Sequence, residues 1–355
     1  MRYIGNKTKL LDFIRRTLRA RGIVSGTAVD PFSGTASVAR ALKRWGFHVT
    51  ASDIMEFAQV FAKAYVEADA APDFRPLAGL AGIRHATPAG VIAHLNALPP
   101  APSFIHEHYA PAGGEGLRHG RMYFTPENAA RIDAIRTRLE DWRASRMIDE
   151  AGFDYLLAAL LEAADRVANT TGVYAAFVKT WQSNARRQLT LRVPDVTSGR
   201  PSRALRTDAL ELVRQLEPFD LLSLDPPYNA RQYAGYYHIP EVIAQGWFDG
   251  PIRMRGKTGL IADDDKRSDW SRSSRAAGAF ERLVATARWS RLVMSYNAEG
   301  IIPEQTIEHV LRQYGRAATY RRYGRRYRRY RSDADSDTRR YQGDEVDEYL
   351  YCVDR

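Results

Sequence analysis

The sequence holds one cysteine, Cys352, so no internal disulfide is available and a cysteine-only zinc site cannot form. No apolar run approaches the roughly 20 residues that a membrane helix needs. The opening stretch MRYIGNKTKL lacks the apolar core of a signal peptide, so the expected location is cytoplasmic, with no membrane partner. Gly-x-Gly-x-x-Gly is missing, and no lysine follows a glycine-rich turn, which argues against a dinucleotide pyrophosphate or a triphosphate as ligand. The histidines of HEHY (106–109) have no neighbours at metal-ligand spacing, so no metal is expected. Lysine is scarce as well, at 7 residues against 45 arginines.

What is present is positive charge. The net charge is +10 with a pI near 9.6, an excess that suits a polyanionic partner, nucleic acid before membrane. Arginine skew also follows from genome base composition, so charge alone does not decide. Hydrophobic content of 45% with 26% charged residues is ordinary for a globular chain.

Apolar periodicity places helix, strand, helix, strand, helix in the first 70 residues. Leu10, Leu11, Ile14 and Leu18 share one helical face, TAVD (27–30) and HVTASD (48–53) read as short strands, and ASVARALKRWG lies between them as a helix. That β-α-β order predicts an α/β fold with a parallel sheet. Proline, glycine and alanine dominate from about 70 to 120. Helices resume at TPENAARIDAIRTRLEDW, with Thr125 as N-cap and Pro126 in the first turn, and at FDYLLAALLEAADRVA (153–168). The sheet returns with FDLLSLD (219–225), RLVMSYN (291–297) and EYLYCV (348–353). The chain therefore divides into a split catalytic domain, 1–68 with 201–355, and an inserted, mainly helical region, 69–200. The one low-complexity stretch is RRYGRRYRRYR (321–331). It reads equally as a phosphate-tracking ribbon or as a solvated hairpin neutralised by its own acids.

DPFSGTASVARAL puts Asp30 at a strand end, then the turn Ser33-Gly34-Thr35, then a helix whose N-terminus is positively polarised. Asp53 closes the next strand, where a carboxylate is the usual partner of a ribose diol. Asp208, in RTDALEL, precedes a helix and also reads as an N-cap. The decisive stretch is FDLLSLDPPYNARQY (219–233), in which a buried strand ends on Asp225, Pro226, Pro227 and Tyr228. An exocyclic amine on a nucleobase is planar, with its lone pair delocalised into the ring. Two acceptors aimed at its N–H bonds, the Asp225 carboxylate and the Pro226 carbonyl, free that lone pair. The proline rings preset φ, so both acceptors are held in place. Tyr228 supplies an aromatic face for an extruded base.

With these residues in view, the sequence resembles the D12-class, Dam-like adenine-specific DNA methyltransferases, most closely those paired with type IIS restriction enzymes. RYIGNKTKLLDFI looks like their N-terminal motif, DPFSGTASVA their cofactor turn and LSLDPPYNARQYAGYYH their catalytic motif. GRMYFTPENAARIDAIR, GVYAAFVKTW and MSYNAEG are similar to further stretches. The resemblance implies a Rossmann-like fold, S-adenosylmethionine as methyl donor without metal, and adenine N6 in double-stranded DNA as acceptor. It also implies a restriction-modification setting, with a cognate endonuclease on the same site as a further partner. By position, Tyr3 and Lys7 contact the cofactor, Lys7 on its methionine carboxylate. Asp30, Phe32, Ser33, Gly34 and Thr35 form the pocket under it, Asp53 holds the ribose, and Asp208 takes the cofactor's adenine amino group. Asp225, Pro226, Pro227 and Tyr228 hold the target. Ala36 departs from the family, which often has a second glycine there.

Two other functions compete. Amino methylation of cytosine uses the same chemistry, commonly with serine in place of the aspartate. A catalytically inactive DNA-binding relative is the other alternative. Methylation at cytosine carbon 5 needs a Pro-Cys nucleophile, and Cys352 lies instead in the final strand. The inserted region, 69–200, is the expected target-recognition region, and within it WQSNARRQLTLR (181–192) offers Arg186, Arg187 and Arg192 for DNA contacts, with Trp181, Gln182 and Asn184 beside them.

Overall fold

The computed structural model describes residues 1–80, 82–261, 266–328 and 345–355. Its centre is a seven-stranded sheet. In chain order the strands are β1 (Gly26–Asp30), β2 (Phe47–Asp53), β3 (Arg203–Arg206), β4 (Phe219–Leu224), the short hairpin β5 (Met254–Arg255) and β6 (Leu260–Ile261), β7 (Trp289–Asn297), β8 (Arg321–Arg328) and β9 (Glu345–Asp354). The large sheet runs β3-β2-β1-β4-β7-β9-β8, with β5 and β6 forming a separate antiparallel pair. Strands β3, β2, β1, β4 and β7 are parallel, whereas β9 is antiparallel to both neighbours. This is a doubly wound, Rossmann-like sheet in which the order reverses between β1 and β4. Ligands of such sheets bind outside the carboxyl ends of the strands at that reversal.

The central strands are short and apolar because helices cover both faces. Helix α1 (Leu11–Ala20), α2 (Ser37–Arg44) and α3 (Glu56–Ala62) contribute to one face. On the other, α9 (Ala209–Gln215), α12 (Ala276–Thr286) and α13 (Glu304–Tyr314) belong to a second cluster with Leu222, Leu292 and Met294. Helices α10 (Tyr233–Tyr236) and α11 (His238–Gln245) follow β4.

The inserted region holds α4 (Pro88–Ala97), α5 (Phe104–Tyr109), α6 (Gly114–Arg118), α7 (Pro126–Ala144) and α8 (Glu150–Val167), then an extended stretch without regular elements up to β3. Thr125 caps α7 by accepting from the Asn128 amide at 3.3 Å. Most residues of α8 are buried, and Leu156, Leu157 and Leu160 belong to the same hydrophobic cluster as Val49 and Phe57. The inserted helices thus share one core with β2 and α3. Two ties close the region onto the fold. Arg2 donates from its main-chain N to Asp165 at 2.6 Å and from its guanidinium to the Ala168 and Thr170 carbonyls. Arg40 and Arg44 of α2 both reach Asp195, at 2.7 and 2.8 Å.

Within RRYGRRYRRYR, residues 321–328 form β8, and 329–331 lie outside the described residues, as does the acidic stretch 333–337. Arg322 pairs with Glu304, and Arg326 with Asp347 at 3.2 Å. Among the described residues no helix is long and apolar enough to cross a membrane.

Because α8 shares its core with the sheet, Leu160→Ala is expected to lower stability by about 2–5 kcal/mol within a single cooperative urea transition. Two separable transitions, only one of them moved by the substitution, would show the insertion to be an independent body.

Candidate active site

Three aspartates stand at the carboxyl ends of adjacent parallel strands, because each strand stops where its apolar run meets a carboxylate. Asp30 ends β1, Asp53 ends β2 and Asp225 follows β4. They line one cavity with Tyr3, Phe32, Ser33, Gly34 and Thr35. Asp208, Pro227 and Tyr228 line it too.

The turn after β1 is shaped for close approach. Gly34 has φ +49°, and a Cβ there would lie 2.9 Å from the Tyr3 ring. Its amide donates to Asp53 Oδ2 at 3.0 Å, and Met55 N donates to Oδ1 at 3.0 Å, so the backbone orients the carboxylate. Ala36 is fully buried with φ +59° and ψ 20°, in the left-handed region a glycine would enter freely. Alanine tolerates it at a cost of about 1–2 kcal/mol. Tyr3 stacks on Tyr237 with centroids 4.5 Å apart, and Phe32 meets Trp270 edge-on at 4.7 Å. Asp208 lines the cavity and also caps α9, accepting from Leu210 N at 2.8 Å.

Burial governs the charges. It pushes the Asp30 carboxyl up to about 8, with the Asp225 charge adding to it. Asp53 is pushed up to about 6 by burial, against the pull of the Met55 and Gly34 amides. Asp225 is pushed up to about 6 by burial, with Lys7 lowering and Glu348 raising it.

Lys7 does not line the cavity, which departs from the expected contact with a methionine carboxylate. Its side chain is 1% exposed, with Nζ 3.0 Å from Asp225 Oδ1, 2.7 Å from Glu348 Oε1 and 2.8 Å from the Tyr228 hydroxyl. Two of its protons go to Glu348 and the Tyr228 hydroxyl, and its charge pairs with Asp225, whose Oδ1 takes no hydrogen bond of good geometry. Burial opposes its charge, but Asp225 and Glu348 outweigh burial and raise its pKa. Tyr228 is only 9% exposed, packed in a T-shape on Tyr296 at 5.8 Å. Gly5 (φ +83°) leaves room for it, since a Cβ there would sit 2.1 Å from the Tyr228 hydroxyl. Of the two prolines, Pro227 is among the residues lining the cavity and Pro226 is buried.

Arg186, Arg187 and Arg192 are exposed, outside the cavity lining and in the extended segment after α8. Asn184 is held inward, its amide donating to the Arg166 and Ala168 carbonyls at 3.2 and 2.9 Å. Gln182 donates its main-chain N to Asn169. Cys352 is buried in β9, and burial pushes its thiol up to about 12. Among the described residues no cluster of three or more His, Cys, Asp or Glu side chains could hold a metal.

The profile of the D12 class N6 adenine-specific DNA methyltransferase family matches residues 3–273. The chain belongs to that family. It is 33% identical to the type II methyltransferase M.FokI of Planomicrobium okeanokoites, covering 100% of this chain and 53% of that protein. It is 31% identical to type II methyltransferase M.NlaIII of Neisseria lactamica, covering 100% of this chain and 99% of the relative. Modification methylase StsI of Streptococcus sanguinis is 30% identical, over 100% of this chain and 52% of its own length. The chain thus spans about half of the FokI and StsI relatives and nearly all of the NlaIII one.

S-adenosylmethionine is the methyl donor of D12-class enzymes, and the residues present fit it. Gly34 provides a cradle that any side chain would fill, and Ser33 Oγ is a buried polar atom with no hydrogen-bond partner. Two carboxylates, Asp53 and Asp208, line the same space, an acceptor set suited to hydroxyl and amino protons. The sequence did not single out Tyr233, Lys266 or Trp270, which also line the cavity. Of these only Tyr233 carried a signal, as the aromatic residue closing the FDLLSLDPPYNARQY stretch.

A carboxyl whose folded pKa is raised contributes stability at low pH that is lost as pH rises through the folded value. For Asp30, raised from 3.8 to about 8, that window runs from about pH 4 to 8. Asp30→Asn in the free protein is therefore expected to raise Tm at pH 8 and above, with the gain shrinking toward pH 4. An Asn variant melting below wild type at pH 8 would refute the burial account.

Proposed function

We propose that this protein transfers a methyl group from S-adenosylmethionine to the N6 amino group of an adenine extruded from double-stranded DNA. The observation that carries this reading is the Asp225-Pro226-Pro227-Tyr228 loop, which leaves β4 at the edge of the cavity lined by the Gly34 turn and Asp53. The donor supplies a methyl group on a sulfonium, which needs no further activation. Asp53 accepts from the donor's ribose hydroxyls, Asp208 from its adenine amino group, and Phe32 with Tyr3 gives apolar walls. Asp30 and the Ser33-Gly34-Thr35 turn form the floor.

At the acceptor, Asp225 and the Pro226 carbonyl each take one N–H of the target amine and bring its lone pair out of conjugation. Tyr228, tethered by Lys7, gives the target ring an edge or face. Asp225 must be ionised to accept. Arg186, Arg187 and Arg192 neutralise phosphates along the duplex. A restriction-modification setting with a cognate endonuclease, and a cytoplasmic location, complete the proposal.

The test is incubation with S-adenosylmethionine and unmethylated genomic DNA, then digestion and nucleoside analysis by mass. N6-methyladenine from wild type, and none from Asp225→Ala, is the expected result. Methylated cytosine would overturn the acceptor, and DNA binding without modification would point to an inactive relative. With Asp225 near 6, kcat/KM should fall as pH drops through about 6, and a flat profile from pH 5 to 8 would count against its role. Replacing Arg186 and Arg187 by Ala should weaken DNA binding and flatten its salt dependence, whereas an unchanged slope would remove them from the interface.

A further inference from the structure

Glu348 lies in β9, beyond the stretch that matches the family profile, and the reaction described so far does not use it. It is a fully buried carboxylate. Oε1 accepts from Lys7 Nζ at 2.7 Å and from Ser295 Oγ at 2.7 Å, while Oε2 is buried without a hydrogen-bond partner. A buried ion pair contributes little net stability, and an unsatisfied buried carboxylate oxygen costs some. Packing therefore does not account for a charge here. Its neighbour does, because the ammonium that Glu348 holds is the one that touches Asp225.

We propose that Glu348 is a positioning residue for methyl transfer: it takes up the Lys7 charge, so that Asp225 meets the acceptor amine with its own negative charge uncancelled. This rests on the methyl-transfer reading above. In that reaction the amino nitrogen gives its lone pair to the methyl carbon, and the carbon–sulfur electron pair stays on sulfur. The nitrogen carries positive charge until one N–H proton passes to Asp225 and on to water. Lys7 alone beside Asp225 would form a neutral pair, offering little to that cation. With Glu348 the three groups hold one cation against two carboxylates, leaving a net negative charge where the cation develops. Lys7 then fixes the Asp225 carboxylate and the Tyr228 hydroxyl in space without neutralising the site.

Asp225 is faced by Lys7 from the N-terminal turn, Tyr228 from its own loop, Glu348 from β9 and Asp30 from β1, with Tyr3, Tyr233 and Tyr296 around them. Of these, Asp30 and Glu348 are the carboxylates, and Glu348 is the one that shares the lysine.

Glu348→Gln keeps shape and removes the charge, so Lys7 pairs with Asp225 alone. The expected result is a kcat roughly tenfold to a hundredfold lower with KM for donor and DNA little changed. The acid limb of the rate profile should move to lower pH, because one of the influences holding Asp225 up is gone. A residue that only supports the fold would lower donor affinity and thermal stability and leave the limb in place. Calorimetric titration with S-adenosylmethionine establishes that the variant is folded. Should it fail to fold, Ser295→Ala carries the test by weakening the Glu348 anion, and the limb should move the same way by less. An unmoved limb, or kcat within about twofold of wild type, overturns the proposal. Wild type lacking methylation altogether would instead overturn the reaction assigned above.

Discussion

Carboxylates converge where the strand order of the sheet reverses, and the fold must hold them there partly removed from water. Asp30, Asp53 and Asp225 are neighbours because β1, β2 and β4 are parallel neighbours and each ends on an acid. Desolvation and mutual repulsion both favour their neutral forms, yet the proposed methyl transfer needs at least one ionised. Backbone amides meet the need at Asp53, and Lys7 meets it at Asp225. At Asp30 burial and the Asp225 charge outweigh backbone donors such as the long contact from the Phe32 amide, at 3.4 Å, and its pKa lies highest of the three.

The N-terminal turn is therefore part of the site, since Tyr3, Gly5 and Asn6 line the cavity. Lys7 and Tyr3 reach their places because Arg2 is anchored to the end of α8, and α8 in turn is seated in the core shared with β2 and α3. A region inserted between the halves of the sheet thus bears on the geometry at the tip of β4 through five residues of backbone. The extended segment after α8 leaves that core to carry Arg186, Arg187 and Arg192 on the surface, before Asp195 fastens it to α2.

Much of this was legible in the sequence, for physical reasons. Short apolar runs closed by Asp30, Asp53 and Asp225 announce buried parallel strands, and two prolines after the last announce a rigid turn. Thr125 and Pro126 mark the start of α7. Other features had no local signal. Strand β3 is four residues with arginine at both ends, at the edge of the sheet, and reads as loop. The identity of Lys7 could be read, but not its direction. Its partners come from β9 and from the loop after β4, 341 and 221 residues away. Glu348 looks like one acid in an acidic run until antiparallel pairing of β9 with β7 turns it inward. The roles of Pro226 and Pro227 divide only once the loop is folded, since sequence does not say which ring faces the cavity.

The scarcity of lysine acquires a meaning from where the lysines sit. Among the described residues, Lys7, Lys43 and Lys266 are buried, three of seven, whereas only Arg121, Arg131 and Arg136 are buried among a far larger number of arginines. Lys7 meets two carboxylates and a phenol, and Lys43 meets the carbonyls of Val66 and Ala68 with Asp69. Both are points on which three acceptors converge from different directions, a demand that a tetrahedral ammonium satisfies and a flat guanidinium does not. In a chain so weighted toward arginine, lysine works as a marker. A composition that drifts toward one cation exposes the positions where shape, and not charge, chose the other.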